Sequence, residues 1–128
     1  MALTDISHPT DIAMLTDLYE LTMAQGLWES GKANEQGCFT AFYRAHPFGS
    51  AYAVMCGTAE LPELVENLRF TPEDIDYLAS LQAPAGGAMF KPAFLDYLRD
   101  FRAHVNIDAV PEGELVFPRE PMVRVTGP

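Results

Sequence analysis

The sequence predicts an α+β fold, and three observations carry that prediction. Strong helix starts stand near the N-terminus and in the middle of the chain. Short alternating runs punctuated by Pro and Gly stand between and after them. The order is helix, two strands, a helical cluster, then several short strands, which is not the regular alternation of a parallel β-α-β sheet. The 128 residues suit one domain, and 48% of them are apolar, enough for a real core.

Thr16 to Trp28 reads as the first helix. Thr16 or Asp17 can cap it by accepting a free backbone N–H. Asp17 and Glu20 place negative charge near the positive end of its dipole, and Gly31 is a stop. Leu18, Leu21, Gln25 and Trp28 form one stripe, with Tyr19, Met23 and Leu27 on a neighbouring one. So wide an apolar face predicts a helix covered on more than one side. Residues 1–11 read as a flexible arm, and residues 12–128 as the domain.

Gly37 to Ala45 reads as a strand, with Phe39, Ala41 and Tyr43 on one face and Cys38, Thr40, Phe42 and Arg44 on the other. His46 to Ser50 is a turn, and Ala51 to Cys56 a second strand, which together predict an antiparallel hairpin. Thr58 opens the next helix, with Leu61, Leu64, Val65 and Leu68 as its stripe and Pro62 tolerated in the first turn. Thr71-Pro72-Glu73-Asp74 is a clear helix start, with Ile75, Leu78 and Leu81 facing inward. Ala83 to Ala88 is a flexible loop. Pro92 opens a last helix that buries Phe94, Leu95, Leu98 and Phe101. His104 to Val110, Leu115 to Phe117 and Met122 to Val125 are short strands, separated by turns at Pro111-Glu112-Gly113 and Pro118 to Pro121.

Lys and Arg number 8 against 18 Asp and Glu, for a formal charge of -10. That argues against non-specific binding to nucleic acid or to an anionic membrane, which need a basic footprint, and leaves room for a local basic site for an anionic ligand. The apolar runs are too short to cross a bilayer. No positive segment followed by an apolar core opens the chain, so no secretory signal is read and a cytoplasmic location is expected. A disulfide between Cys38 and Cys56 is one reading. Two reduced, buried thiols is the favoured one. No cluster has metal-ligand spacing, and no metal site is expected.

No self-contained catalytic constellation stands in the sequence. There is no phosphate-binding Gly-rich loop, no nucleophile elbow and no HExxH. His8, His46 and His104 are scattered and read as surface or turn residues. Two residues are candidates for binding. Tyr19 is either a packed aromatic with its hydroxyl in water or a flat platform for a planar ligand, and residue pattern favours the first. Arg44 is either a surface arginine lying along its aromatic neighbours or a guanidinium facing an anion, and the two readings stand level. Glu112 and Gly113 read as turn residues, with Glu112 in solvent.

Several stretches together resemble nicotinate phosphoribosyltransferases. They are Leu15-Thr16-Asp17-Leu18-Tyr19-Glu20-Leu21-Thr22-Met23-Ala24-Gln25-Gly26, then Phe39-Thr40-Ala41-Phe42-Tyr43-Arg44 and Pro47-Phe48-Gly49. Leu68 to Leu78, Phe94 to Leu98, Val110-Pro111-Glu112-Gly113, Val116-Phe117-Pro118, Glu120-Pro121 and Val123-Arg124-Val125 follow in the same order. The likeness runs from about residue 12 to the end, and the shared order makes it specific. Ser50 stands where the family usually has a second Gly, and Ala45 and His46 where Lys- or Asn-like residues are usual.

The resemblance implies an enzyme that joins nicotinate to phosphoribosyl pyrophosphate, releasing nicotinate mononucleotide and pyrophosphate, with coupled ATP hydrolysis through a phosphorylated histidine. ATP and magnesium are expected for the full enzyme. It implies a barrel-like sandwich of short strands here, and an α/β barrel that this chain lacks. It implies dimers in which this domain closes over a neighbour's site, or a partner chain carrying the barrel. Tyr19 maps onto the tyrosine that lies against the nicotinate ring, and Arg44 is a possible anion contact. The catalytic residues are expected in the barrel, so the chain reads as a fragment or one half of a split enzyme, inactive alone. The alternative is a non-catalytic binding or assembly module that kept the fold.

Overall fold

The computed structural model describes residues 12–128, and the arm expected at residues 1–11 lies outside them. The chain divides into two compact units, each made of two stretches. The first comprises residues up to 33 and residues 66–103, and the second residues 34–65 and 104–128.

The first unit is helical. It holds α1 (Leu18–Glu29), α3 (Pro72–Ser80) and α4 (Pro92–Arg99), while α2 (Leu61–Glu66) belongs to the second. α3 starts as its sequence dictates. The Thr71 hydroxyl accepts the Asp74 N–H at 3.2 Å, and the Asp74 carboxylate accepts the Thr71 N–H at 2.9 Å. Pro72 takes the first helical position, where no N–H is required. Ile75 and Leu78 from α3, Phe94, Leu95 and Leu98 from α4, Phe90 and Leu21 form the core. Phe101 is only half-buried and stands beyond the end of α4. The loop after α3 is closed rather than open, because Ala83 donates to Gly87 and Gln82 bridges Ala88.

α1 corrects two expectations. No side chain caps it: Asp17 holds the N-cap position with its carboxylate accepting no cap bond, and the Thr16 hydroxyl donates instead to the Glu20 carboxylate. Nor is it covered on more than one side, since Leu21 is its one buried residue. The Leu21–Trp28 stripe packs on the core, where the Trp28 ring lies 5.8 Å from that of Phe94 and 6.1 Å from that of Tyr97. Tyr19, Met23 and Leu27 face outward.

The second unit holds the strands. A three-stranded antiparallel sheet has β1 (Gly37–Ala41) and β3 (Asn106–Ala109) on either side of β5 (Val123–Gly127). A separate two-stranded sheet pairs β2 (Ala53–Val54) with β4 (Leu115–Val116). The expected hairpin of the first two strands therefore does not form. β1 pairs in register Gly37–Gly127 to Ala41–Val123, and β2 pairs Ala53–Val116 and Val54–Leu115. β1 also ends at Ala41 and not at Ala45. Its last ladder bond comes from the Met122 N–H, and the preceding Pro121 has no N–H to offer. Neither sheet closes on itself among the described residues. Met55 and Val116 are the buried apolar residues of this unit.

Both cysteines are free and exposed, which corrects the expected burial. Cys38 lies on the polar face of the first sheet with Thr40, Thr126 and Arg124, where Arg124 meets the Asp108 carboxylate at 2.8 Å.

Candidate functional site

The two candidate residues belong to different units, and each is held by its own surroundings. Tyr19 is the second residue of α1, with 58% of its surface exposed. Its backbone carbonyl accepts the Thr22 hydroxyl at 2.8 Å. What fixes its direction is the inward side of the helix. Leu21 and Trp28 are on the core, and Gln25 spans to the entry of α4, accepting the Lys91 N–H at 2.7 Å and donating to the Met89 carbonyl at 3.3 Å. Lys91 then pairs with Glu29 at 2.9 Å. With that side held, Tyr19 lies on the outward side of α1.

At the start of α1 lies an open depression of about 520 Å³, lined by Met14, Leu15, Thr16, Asp17 and Glu20 and not by Tyr19. The two carboxylates give it negative character. Two carboxylates there disfavour an anionic group. Any anionic group placed against Tyr19 needs its cation from elsewhere.

Arg44 is exposed and stands past the end of β1, on the bend that leads into the 3-10 turn Pro47–Gly49. It is not the mid-strand arginine that alternation predicts. The bend is nevertheless firmly held. The Tyr43 hydroxyl donates to the carbonyl of buried Val116 at 2.9 Å, and the Tyr43 carbonyl accepts the Arg119 N–H at 2.9 Å. The His46 Nδ1 lies 3.4 Å from the same hydroxyl, with the two rings edge-to-face at 5.6 Å. Since the phenol proton is given to Val116, the His46 contact requires a proton on Nδ1. Burial, and after it the charge of Glu120, pushes the Tyr43 phenol above its ordinary range.

Two non-glycine residues of this region have left-handed backbone, Phe48 at φ 56° and Arg119 at φ 67°. Phe48 is fully exposed despite that conformation. Such strain persists where the surrounding bonds over-determine the chain, and it gathers at recognition sites. Elsewhere in this unit Glu112 accepts the Ala59 N–H at 3.0 Å, at the entry of α2. It is more than a solvated turn residue.

Residue reading missed Gln25, Tyr43, Phe48 and Glu112. Only Gln25 left a signal, as the one amide in an otherwise apolar stripe. His46 is half-buried, and His104 is exposed. Among the described residues, no group of three or more His, Cys, Asp and Glu side chains is placed to hold a metal ion. None of their helices is long and apolar enough to cross a membrane.

Comparison with known proteins places this geometry in a family. Residues 14–128 match the nicotinate phosphoribosyltransferase (NAPRTase) N-terminal domain. Nicotinate phosphoribosyltransferase 2 of Arabidopsis thaliana is 39% identical over 123 residues, covering 95% of this chain and 21% of that protein. The Homo sapiens nicotinate phosphoribosyltransferase is 38% identical over 116 residues, covering 90% of this chain and 21% of that protein. The crystal structure of human nicotinic acid phosphoribosyltransferase superposes with a TM-score of 0.73, covering 88% of this chain and 22% of the human one. The chain thus spans about a fifth of the length of these relatives. It belongs to the nicotinate phosphoribosyltransferase family and carries that family's N-terminal domain.

Proposed function

We propose that this chain is the N-terminal part of an enzyme that forms nicotinate mononucleotide and pyrophosphate from nicotinate and phosphoribosyl pyrophosphate, with ATP hydrolysis. The supporting observation is the colinear match over residues 14–128 to the family's N-terminal domain. Tyr19 supplies a flat face for the pyridine ring, and its outward setting on α1 suits that use. Asp17 and Glu20 at the start of α1 disfavour a carboxylate there, so the cation for the carboxylate stands on other parts of the enzyme. Arg44, on its tethered bend in the second unit, is proposed separately as an anion contact.

In this reading the two sheets of the second unit form a barrel-like sandwich. The complete enzyme is a cytoplasmic dimer, or an assembly with a partner chain that carries the α/β barrel. Phosphoribosyl transfer needs cations around a pyrophosphate leaving group and stabilisation of positive charge developing on the ribose. The eight basic residues of this -10 chain do not supply that cluster. ATP and magnesium belong to the complete enzyme.

The chain alone is therefore inactive. The test is an assay of the purified 128 residues with nicotinate, phosphoribosyl pyrophosphate, ATP and magnesium. No nicotinate mononucleotide should form. Turnover by the lone chain would show that its own residues complete the site.

A further inference from the structure

Arg44 stands on a bend outside the sheets, and an arginine there serves an anion only as well as the bend is held. A segment that must be ordered on binding weakens the complex. The ladder of β1 ends at Ala41, whose carbonyl accepts the Met122 N–H at 2.9 Å. Beyond it, among the described residues, the hydrogen bonds that join residues 42–49 to the other strands and turns run through Tyr43. Its carbonyl accepts the Arg119 N–H and its hydroxyl donates to the Val116 carbonyl, each at 2.9 Å. Residue 43 is thus held both by its backbone and by the far end of its side chain. Val116 is 3% exposed and pairs with Ala53 across β4 and β2, so the hydroxyl is anchored on a buried ladder position. His46 meets the same hydroxyl at 3.4 Å, which closes the turn around Arg44.

The surroundings leave that arginine available. No Asp or Glu occurs from Gln36 to Ala59, in a chain that holds 18 of them. On the adjoining turn, Glu120 is engaged by the Phe117 N–H at 3.1 Å. Among the described residues no carboxylate pairs with Arg44, whereas Lys91, Arg99 and Arg124 each have one. A guanidinium on a fixed backbone, free of a competing carboxylate, suits a phosphate-type anion.

We infer that Tyr43 is a positioning residue, whose hydroxyl, through the Val116 carbonyl, sets the bend so that Arg44 meets a phosphate-type anion already ordered. This rests on the reading of Arg44 as an anion contact. It goes further by assigning part of the affinity to a phenol that is not itself a ligand contact.

The test compares the 128-residue chain with its Tyr43→Phe, Val116→Ala and Arg44→Ala variants. Tyr43→Phe keeps the ring, removes the hydroxyl and should melt within about 5 °C of the parent. Val116→Ala trims a buried side chain and keeps the carbonyl, so it lowers stability without cutting the tether. Backbone amide NMR relaxation without ligand is the first readout, and titration with inorganic pyrophosphate is the second. In Tyr43→Phe the order parameter at Arg44 should fall from about 0.85 to below about 0.6, and in Val116→Ala it should stay high. Pyrophosphate should shift the Arg44 signals of the parent and bind about three- to tenfold more weakly to Tyr43→Phe. Its affinity for Val116→Ala should equal that for the parent. Parent-like order at Arg44 or parent-like affinity in Tyr43→Phe would overturn the inference while the anion reading stands. Equal loss of affinity in Tyr43→Phe and Val116→Ala would overturn it too, since both would then act through stability. Equal response of Arg44→Ala and the parent to pyrophosphate would instead remove the anion reading of Arg44, and the inference with it.

Discussion

The side-chain oxygen of Gln25 accepts the backbone N–H of Lys91 at 2.7 Å, joining the middle of α1 to the N-cap of α4. A single amide thus holds together two elements that are 66 positions apart. Through that bond the inward face of α1 is fixed, and the ring of Tyr19 is turned outward. Gln25→Leu keeps the volume and removes both hydrogen bonds. It should cost about 0.5–1.5 kcal/mol in urea denaturation, with the slope unchanged. No loss would mean that packing by Leu21 and Trp28 suffices to hold the helix.

The core and the cap of α3 should separate cleanly in magnitude. Leu78 is fully buried among Ile75, Phe90, Phe94 and Leu98, so Leu78→Ala should cost about 2–5 kcal/mol. Thr71→Ala removes one half of the capping box and should cost about 1 kcal/mol. Chemical denaturation of both variants side by side checks the order.

The Tyr43 phenol should ionise above the ordinary tyrosine range. Its folded pKa is raised first by burial and then by Glu120, so the folded state holds the proton more tightly than the unfolded state does. The stability linked to this group is fully present below the ordinary tyrosine pKa of about 10. It is lost as pH rises through the higher folded value. An alkaline absorbance titration should show one late phenolate, absent in Tyr43→Phe. Melting above about pH 10 should fall more steeply with pH in the parent than in the variant.

The exposed thiols give a rapid check of the strand arrangement. Cys38 and Cys56 should both react with a thiol reagent in the native protein, at rates close to those in denaturant. Protection of either would show that its segment is covered in solution.

What could be read from the sequence was local. Thr71-Pro72-Glu73-Asp74 states its own helix start, because the cap, the proline and the acids act within one turn. The buried sets Ile75, Leu78 and Phe94, Leu95, Leu98 follow from helical period alone. Strand pairing did not follow. The segment between Ala41 and Ala53 looks like a hairpin connection, yet the partners of β1 and β2 lie in the last fifteen residues of the chain, and nothing local encodes that choice. The burial of Cys38 and Cys56 was misread for the same reason, since the covering of a strand face depends on distant chain. Tyr19 was legible as a residue of interest from its helix, and its outward setting followed only from Gln25 and Trp28 on the opposite side. The tether that holds the Arg44 bend, from Tyr43 to Val116 and Arg119, spans more than seventy positions and left no pattern to read.

The most direct test of the account joins this chain to the remaining four-fifths of the human relative, in place of the matching segment, and measures kcat/KM for nicotinate. The joined protein should form nicotinate mononucleotide. Tyr19→Ala should lower kcat/KM roughly 3–10-fold, the range expected for loss of one aromatic face, while the melting temperature stays within about 2 °C because Tyr19 is exposed. An unchanged kcat/KM in the Tyr19→Ala protein would contradict the claim that α1 supplies a wall of the nicotinate site.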